Sequence, residues 1–273
     1  MTTDVVPFAR PYDSRAHQVE AGKLGIWLLI ATEMLFFSGL FCAYAVCRAG
    51  HPEVFVYAHY FLNIKIGFFS TSLLLVSSLT AAWAVRSAQR GHRRALMVTI
   101  ALTIACALGF LTLKGVEYFR KYEQGLLPGA RFSPTEQVWE LETFQRAHPR
   151  ASEFARVLRT RAQTLQRETA RLGEPEQVVP LLEAGVIGEK AEYALYPSLP
   201  QNGHLFFGLY FFMTALHALH VIVGIGVWLW LLVRAGAGVF GPVYFEPVNY
   251  TALYWHMVDL IWIYLFPLLY LIR

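Results

Sequence analysis

Five long apolar stretches constrain this chain more than any other feature: 24–46, 66–85, 95–118, 205–233 and 250–272. A helix needs about 20 mainly apolar residues to cross the hydrocarbon of a bilayer, and each stretch has them. Inside lipid every backbone N–H and C=O must be bonded within the chain, so stretches of this length fold as helices. The composition agrees, with 56% hydrophobic and only 15% charged residues in 273, too little polar surface for a water-soluble globule of that size. The expected fold class is therefore all-α, a polytopic membrane protein with five transmembrane helices and an additional extramembrane helical insert.

The first stretch follows Arg10, Arg15 and Lys23 and lacks a small-residue cleavage site after a short apolar core, so it reads as a retained helix. Basic residues of the short loops set the orientation. One side carries those three together with Arg86, Arg90, Arg93, Arg94 and Arg234; the other carries Arg48, Lys65 and Arg273. The positive-inside rule then puts the N-terminus in the cytoplasm and the C-terminus outside. The net charge of +4 thus reflects topology, and no basic, aromatic-interleaved patch suggests nucleic acid as a partner. Cys42, Cys47 and Cys106 lie in apolar helices without metal-binding spacing and read as packing residues.

Between the third and fourth spans lies a hydrophilic segment, 120–203, with 11 of the 23 basic and 11 of the 19 acidic residues. It divides the chain into 1–119 with three spans, the insert on the outer face, and 204–273 with two. Ser133-Pro134-Thr135-Glu136 has a capping serine, proline at the first helical position and glutamate at the third, which predicts a helix to about His148. Phe154, Val157, Leu158, Leu165 and Leu172 recur at helical spacing and predict a second helix over 152–172, with a loop over 189–203 returning the chain to the membrane.

Ionisable residues inside the spans require a partner or a function, since a charge at the bilayer centre costs roughly 2.5–3.5 kcal/mol on insertion scales. Glu33 lies nine residues into the first stretch, roughly 14 Å along it, and Asp259 lies at similar depth in the last. His256 and Asp259, in YWHMVDLIW, share one helix face, which is compatible with an intrahelical hydrogen bond at a helix contact. His217 and His220 are three apart in LHALH. Convergence of Glu33, His217, His220, His256 and Asp259 into one interior polar cluster would offset their desolvation. Bis-histidine haem ligation would require His256 at the depth of His217 or His220, whereas it lies roughly 10 Å or more nearer the cytoplasm, so no metal site is expected. Lys114 and Glu117, three apart near the outer end of the third stretch, form either an ion pair or ordinary helix-end polarity.

With these residues in view, the chain resembles subunit III of the haem-copper cytochrome c oxidases in the shorter bacterial form. The resemblance runs through LGIWLLIATEMLFFSGLFCAY, STSLLLVSSLTAAWA, LGFLTLKGVEYF, FFMTALHALHVIVG and YWHMVDLIWIYLFPLLYL. It implies a subunit of the bacterial cytoplasmic membrane, with its helix bundle opened by a V-shaped cleft for structural phospholipids and with no redox centre or cofactor of its own. Haems and copper would lie in the partner subunits I and II, and the chain would sustain proton uptake and protect the catalytic subunit during oxygen reduction. Glu33, His217, His220, His256 and Asp259 would be the family's intramembrane polar residues, and Arg234 a residue near lipid headgroups.

Three positions depart from that pattern. Asn249 stands where the family usually has glutamate, with Glu246 one turn earlier; Lys114 stands where many members have glutamine; and the 120–203 insert replaces a short connection. The insert's outer position suggests a contact with another respiratory complex or a cytochrome c carrier, or else a cover for the lipid cleft. A quinol oxidase subunit and a nitric oxide reductase accessory protein share the five-helix pattern, and a transmembrane haem cytochrome is a further alternative.

Overall fold

The computed structural model describes residues 12–129, 132–136, 138–150, 153, 156, 160 and 203–271. Among them regular structure is helical. Five long helices span the apolar stretches: α1 (Arg15–Gly50), α3 (Ile64–Gln89), α4 (Arg93–Glu123), α6 (Gly203–Gly236) and α7 (Glu246–Tyr270). Two short ones, α2 (Pro52–His59) and α5 (Glu142–Ala147), lie between them. The long helices outrun the apolar windows of the sequence because their charged ends continue helically into the interface. At 1.5 Å per residue the 36 residues of α1 reach about 54 Å, well beyond a hydrocarbon core of about 30 Å.

Local signals place the helix ends. Ser14 accepts a hydrogen bond from His17 N at the start of α1, and Asn63 Oδ1 accepts from Lys65 N and Ile66 N at the start of α3. At the end of α4, Gly125 adopts φ +68°, Leu126 N bonds Lys121 O and Gly125 N bonds Tyr122 O, the paired bonds of a Schellman stop. A Cβ on Gly125 would lie 2.0 Å from Ser133 O, so glycine there also admits the returning chain.

Helices α3, α4, α6 and α7 form the body, with α3 and α4 packed along most of their lengths and α7 against both α3 and α6. Helix α1 packs mainly on α7 and is otherwise largely exposed, whereas α7 is the most enclosed span. Its N-terminal end is clamped by Arg15 to Glu246 (3.3 Å) and by Tyr250 OH donating to Val19 O (2.9 Å). Further along, Tyr44 OH donates to Leu268 O.

Lipid is as apolar as leucine, so close fit and hydrogen bonds hold such helices together. Gly224 supplies one such fit: a Cβ there would lie 2.5 Å from the Trp255 ring, which is fully buried and donates from Nε1 to Ser77 Oγ. Gly224→Leu is expected to lower stability by about 1–3 kcal/mol through overpacking, read as an earlier thermal midpoint of the purified protein in detergent.

The insert begins differently from the sequence expectation. The helix predicted from Ser133 to His148 is instead a 3₁₀ turn at Val138–Glu140, an extended Leu141 and the short α5. Val138, Leu141 and Phe144 are buried, and folding them onto the membrane body outweighs the local capping signal. Thr143 Oγ1 donates to Tyr60 O, and Tyr60 OH pairs with His148 Nε2 at 2.9 Å. Burial raises the Tyr60 phenol above its ordinary value, so it stays protonated and able to donate there. Of the second predicted helix, 152–172, Glu153, Arg156 and Thr160 are helical; its other residues and the 189–202 part of the loop lie outside the described residues.

Candidate functional site

Helix α6 descends beside α1 and α7, which brings some of the intramembrane polar residues together and keeps others apart. His220 Nε2 lies 3.1 Å from Glu33 Oε2, its Nδ1 lies 2.8 Å from Leu216 O, and its ring packs edge-on against Phe37. Tyr254 OH donates to His220 O, fixing this turn of α6 against α7. The Glu33 and His220 side chains are 29% and 17% exposed, so this chain leaves the pair incompletely covered.

His256 and Asp259 turn toward α3 on the shared face that their spacing sets. His256 Nδ1 lies 2.6 Å from Ser78 Oγ. Asp259 is buried beside the same serine, but neither of its oxygens makes a hydrogen bond of normal geometry. No intrahelical bond joins the two. His217 is separate again, fully buried, with both ring nitrogens unbonded and its ring between Phe110 (5.5 Å) and Trp262 (5.0 Å). The five residues therefore occupy three places rather than one cluster. Among the described residues no three His, Cys, Asp or Glu side chains gather as a metal ion would require.

The most connected polar site is one that the sequence showed only in part. Lys114 and Glu117 do pair, with Nζ to Oε2 at 2.6 Å, but inside the bundle, where each residue is 4% exposed or less. Lys114 also donates to Tyr270 OH (2.6 Å), and Tyr270 OH donates to both Glu117 oxygens (2.6 and 2.8 Å). The ammonium lies 4.4 Å from the centroid of the Trp262 ring. Two turns beyond Lys114, Lys121, equally buried, donates to Phe61 O (2.8 Å) and faces the Tyr210 ring. Tyr210 and Tyr270 hydroxyls approach to 3.3 Å.

Lys121 and Tyr270 carried no sequence signal for this role. Helical spacing links Lys114 to Lys121 on one face, yet only tertiary packing brings Tyr270 to them.

At the other end of the bundle the Arg234 guanidinium lies over the exposed Trp230 ring (5.0 Å), and its Nε has no partner. Glu246 reaches Arg15 and the Phe245 N–H, which gives the carboxylate one turn before Asn249 a structural task at the start of α7.

Comparison with known proteins agrees with this architecture. A family model described as "Cytochrome c oxidase subunit III" matches residues 3–123 and 186–272, taking in all five spans and leaving most of the insert unmatched. The chain is 23% identical over 260 residues to a probable cytochrome c oxidase subunit 3 of Nocardia farcinica, covering 95% of this chain and 91% of that one. It is 22% identical over 276 residues to the corresponding Mycobacterium leprae protein, covering the full length of both. A shorter match, 34% identical over 106 residues, reaches cytochrome c oxidase subunit 3 of Loxodonta africana, covering 37% of this chain and 41% of that one. The matched blocks take in the helices that carry Glu33, Lys114, Glu117, His217, His220, His256 and Asp259, and on that breadth this multi-pass membrane chain belongs to the cytochrome c oxidase subunit III family.

Proposed function

We propose that the chain is the non-redox third subunit of a proton-pumping haem-copper terminal oxidase, a cytochrome c oxidase of aerobic respiration. In this reading haems and copper belong to subunits I and II, and this chain supports proton uptake and the durability of the catalytic subunit. Phospholipids fill the cleft beside α1, and Arg234 lies at headgroup level, where a guanidinium suits phosphate. The N-terminus is cytoplasmic, and the C-terminus and the 120–203 insert face the periplasm of a bacterial inner membrane.

The observation that carries the reading is the Glu33–His220 pair. It lies well inside two spans, is only partly covered, and is flanked on α1 by exposed Met34, Leu35 and Phe36. A carboxylate and imidazole at that depth are costly against lipid. A polar surface of a partner subunit would complete their cover.

The test is gentle detergent extraction with a tag at Arg273, followed by a reduced-minus-oxidised spectrum and subunit identification by mass spectrometry. Copurified haem-copper and copper-centre subunits with oxygen uptake from cytochrome c are expected. Donation from quinol alone, or a nitric oxide reductase partner, would select those alternatives, and a haem signal from the isolated chain would overturn the subunit reading. Glu33→Ala is expected to lower the recovered haem-copper subunit several-fold while this chain is still extracted. Unchanged recovery would remove Glu33 from the contact.

A further inference from the structure

Three side-chain hydrogen bonds tie α7 to α3, and one of them differs in kind. Trp255 Nε1 donates to Ser77 Oγ and Trp262 Nε1 to Thr71 Oγ1, both from fully buried rings. These two fasten the helices from inside the bundle. The third, between His256 Nδ1 and Ser78 Oγ at 2.6 Å, lies at the edge of the same contact, where both residues are only half-buried.

Behind that edge is Asp259, 3% exposed, beside Ser78 and with neither carboxyl oxygen hydrogen-bonded. Polar groups are costly to bury unless they are bonded, so carboxyl, hydroxyl and imidazole act as one polar unit that runs from the interior to the surface. Its outer end is His256 Nε2, which no hydrogen bond reaches among the described residues. In either neutral tautomer that nitrogen is a donor or an acceptor.

Depth keeps water from serving it. Ser78 is the fifteenth of the 26 residues of α3 and His256 the eleventh of the 25 of α7, so the edge lies near the middle of both spans. Exposed Leu75, Leu79, Leu260 and Ile263 occupy the adjoining turns. Lipid chains suit those side chains but offer nothing to a ring nitrogen. This chain does not supply the missing group either, since its N-terminus and insert contain no further stretch of about 20 apolar residues that could enter the bilayer.

The edge is also distinct from the Glu33–His220 pair. Tyr254, which donates to His220 O, and His256 are two residues apart, hence about 200° apart around α7. The two half-covered polar places open on different faces of the bundle, and a single straight helix cannot cover both.

We infer that the α3–α7 edge is a second intramembrane interface, occupied by a transmembrane helix of another subunit that presents a hydroxyl or amide side chain to His256 Nε2. Such a side chain both donates and accepts, so it matches whichever tautomer the Ser78 contact selects. Polar side chains of this kind bond across helices in lipid, where no water competes. Asp259 and Ser78 are positioning residues that hold the imidazole with its second nitrogen outward. The inference rests on the reading of this chain as a subunit of an oxidase complex and adds a second face to the contact made through Glu33.

The test uses the recovered complex, with p-benzoylphenylalanine placed at Leu79 or Leu260, exposed positions that take no part in the hydrogen bonds of the edge. After photolysis, adducts are identified by mass spectrometry. A transmembrane peptide of another subunit, with a Ser, Thr, Asn or Gln within one helical turn of the crosslinked residue, is expected from both positions. Adducts with lipid alone, with a second copy of this chain, or with a helix lacking such a residue overturn the inference.

Two variants separate an outward role of His256 from an inward one. A glutamine amide reaches as far as Nε2, whereas an asparagine amide reaches only as far as Nδ1. The crosslink yield from Leu260 is expected to stay near the wild-type value in His256→Gln and to fall several-fold in His256→Asn. An unchanged yield in His256→Asn would make the histidine a clip to Ser78 alone and overturn the inference. A complex that contains haem but gives no protein adduct counts against this interface only, whereas a protein adduct from a preparation without haem counts against the oxidase reading only.

Discussion

Replacing Glu117 with glutamine is expected to destabilise the protein by about 3–5 kcal/mol, the range for removing one partner of a buried ion pair. Glutamine preserves volume and can still accept from Tyr270, so the loss isolates the charge. What remains is two ammoniums, Lys114 and Lys121, inside the bundle with no carboxylate. Unfolding of the purified complex by added sodium dodecyl sulfate, followed by circular dichroism, would report the change.

The same geometry predicts a rescue. Lys114→Gln removes one of the stranded charges, and Glu117→Gln with Lys114→Gln leaves a neutral amide pair able to bond Tyr270 OH. The double variant is expected to recover at least half of the loss, a coupling of the size seen for residues in one network. A single-variant loss under about 1 kcal/mol, or additive losses in the double variant, would show the pair to be uncoupled and solvated.

Glutamine at position 114 is what the family resemblance led one to expect, so the lysine here and its buried surroundings form one unit. Lys121 and the insert that covers it belong to the same unit. A second ammonium two turns beyond Lys114 adds charge that Glu117 alone does not balance, and the insert supplies acidic residues facing that end of the helix.

How much of this was legible in the sequence depends on which physics acted. The five spans were plain because a bilayer leaves an apolar stretch of that length little choice but a helix, and hydropathy alone reports it. Helix α2 has only Pro52 at its first turn to mark it in the sequence. Its eight residues are too short to register as a span, and its core residues Val54, Phe55 and Ala58 look like any apolar connector until they are seen packed. The insert's first helix departs from its local capping signal because Val138, Leu141 and Phe144 are buried, a tertiary effect that capping chemistry does not report.

Within the membrane, spacing gave faces but not neighbours. It put His256 with Asp259 and Lys114 with Glu117, and it set Glu33 level with Asp259, whereas the contact that Glu33 makes is with His220 at 3.1 Å. It could not tell which helices adjoin which, so the partner of His256 proved to be Ser78 on α3, and His217 was left among aromatic rings. Tyr270 lies in an apolar run at the end of the last span, where a tyrosine is ordinary interfacial composition. Its role as donor to Glu117 exists only once α4 and α7 meet.

Trp262→Ala is expected to be the other large loss, because Trp262 stands where three of these arrangements touch. It is fully buried; its Nε1 donates to Thr71 Oγ1 on α3 at 3.0 Å. Its ring meets Phe110 at 4.9 Å and His217 at 5.0 Å, and carries the Lys114 ammonium at 4.4 Å. Truncation would leave a large void and remove a desolvated cation–π contact of about 2 kcal/mol. In lipid the transfer component of a buried side chain is small, since the unpacked helix meets an equally apolar medium, which leaves packing and cavity as the main losses. The expected destabilisation is about 3 kcal/mol, the lower end of the range for truncating a buried aromatic in a soluble core.

Trp262→Phe separates the components. It keeps most of the ring packing and a weaker face for Lys114 but loses the bond to Thr71, so about 1 kcal/mol is expected. The two variants should also differ at the polar network. With the ring gone, Lys114 loses the cover that the indole gives it, and water entering there would hydrate the Glu117–Tyr270 bonds. Hydrogen exchange in the α4 turn around Glu117 is therefore expected to accelerate in Trp262→Ala and hardly at all in Trp262→Phe. Equal exchange in both would mean that the tryptophan packs the bundle without shielding the buried charges.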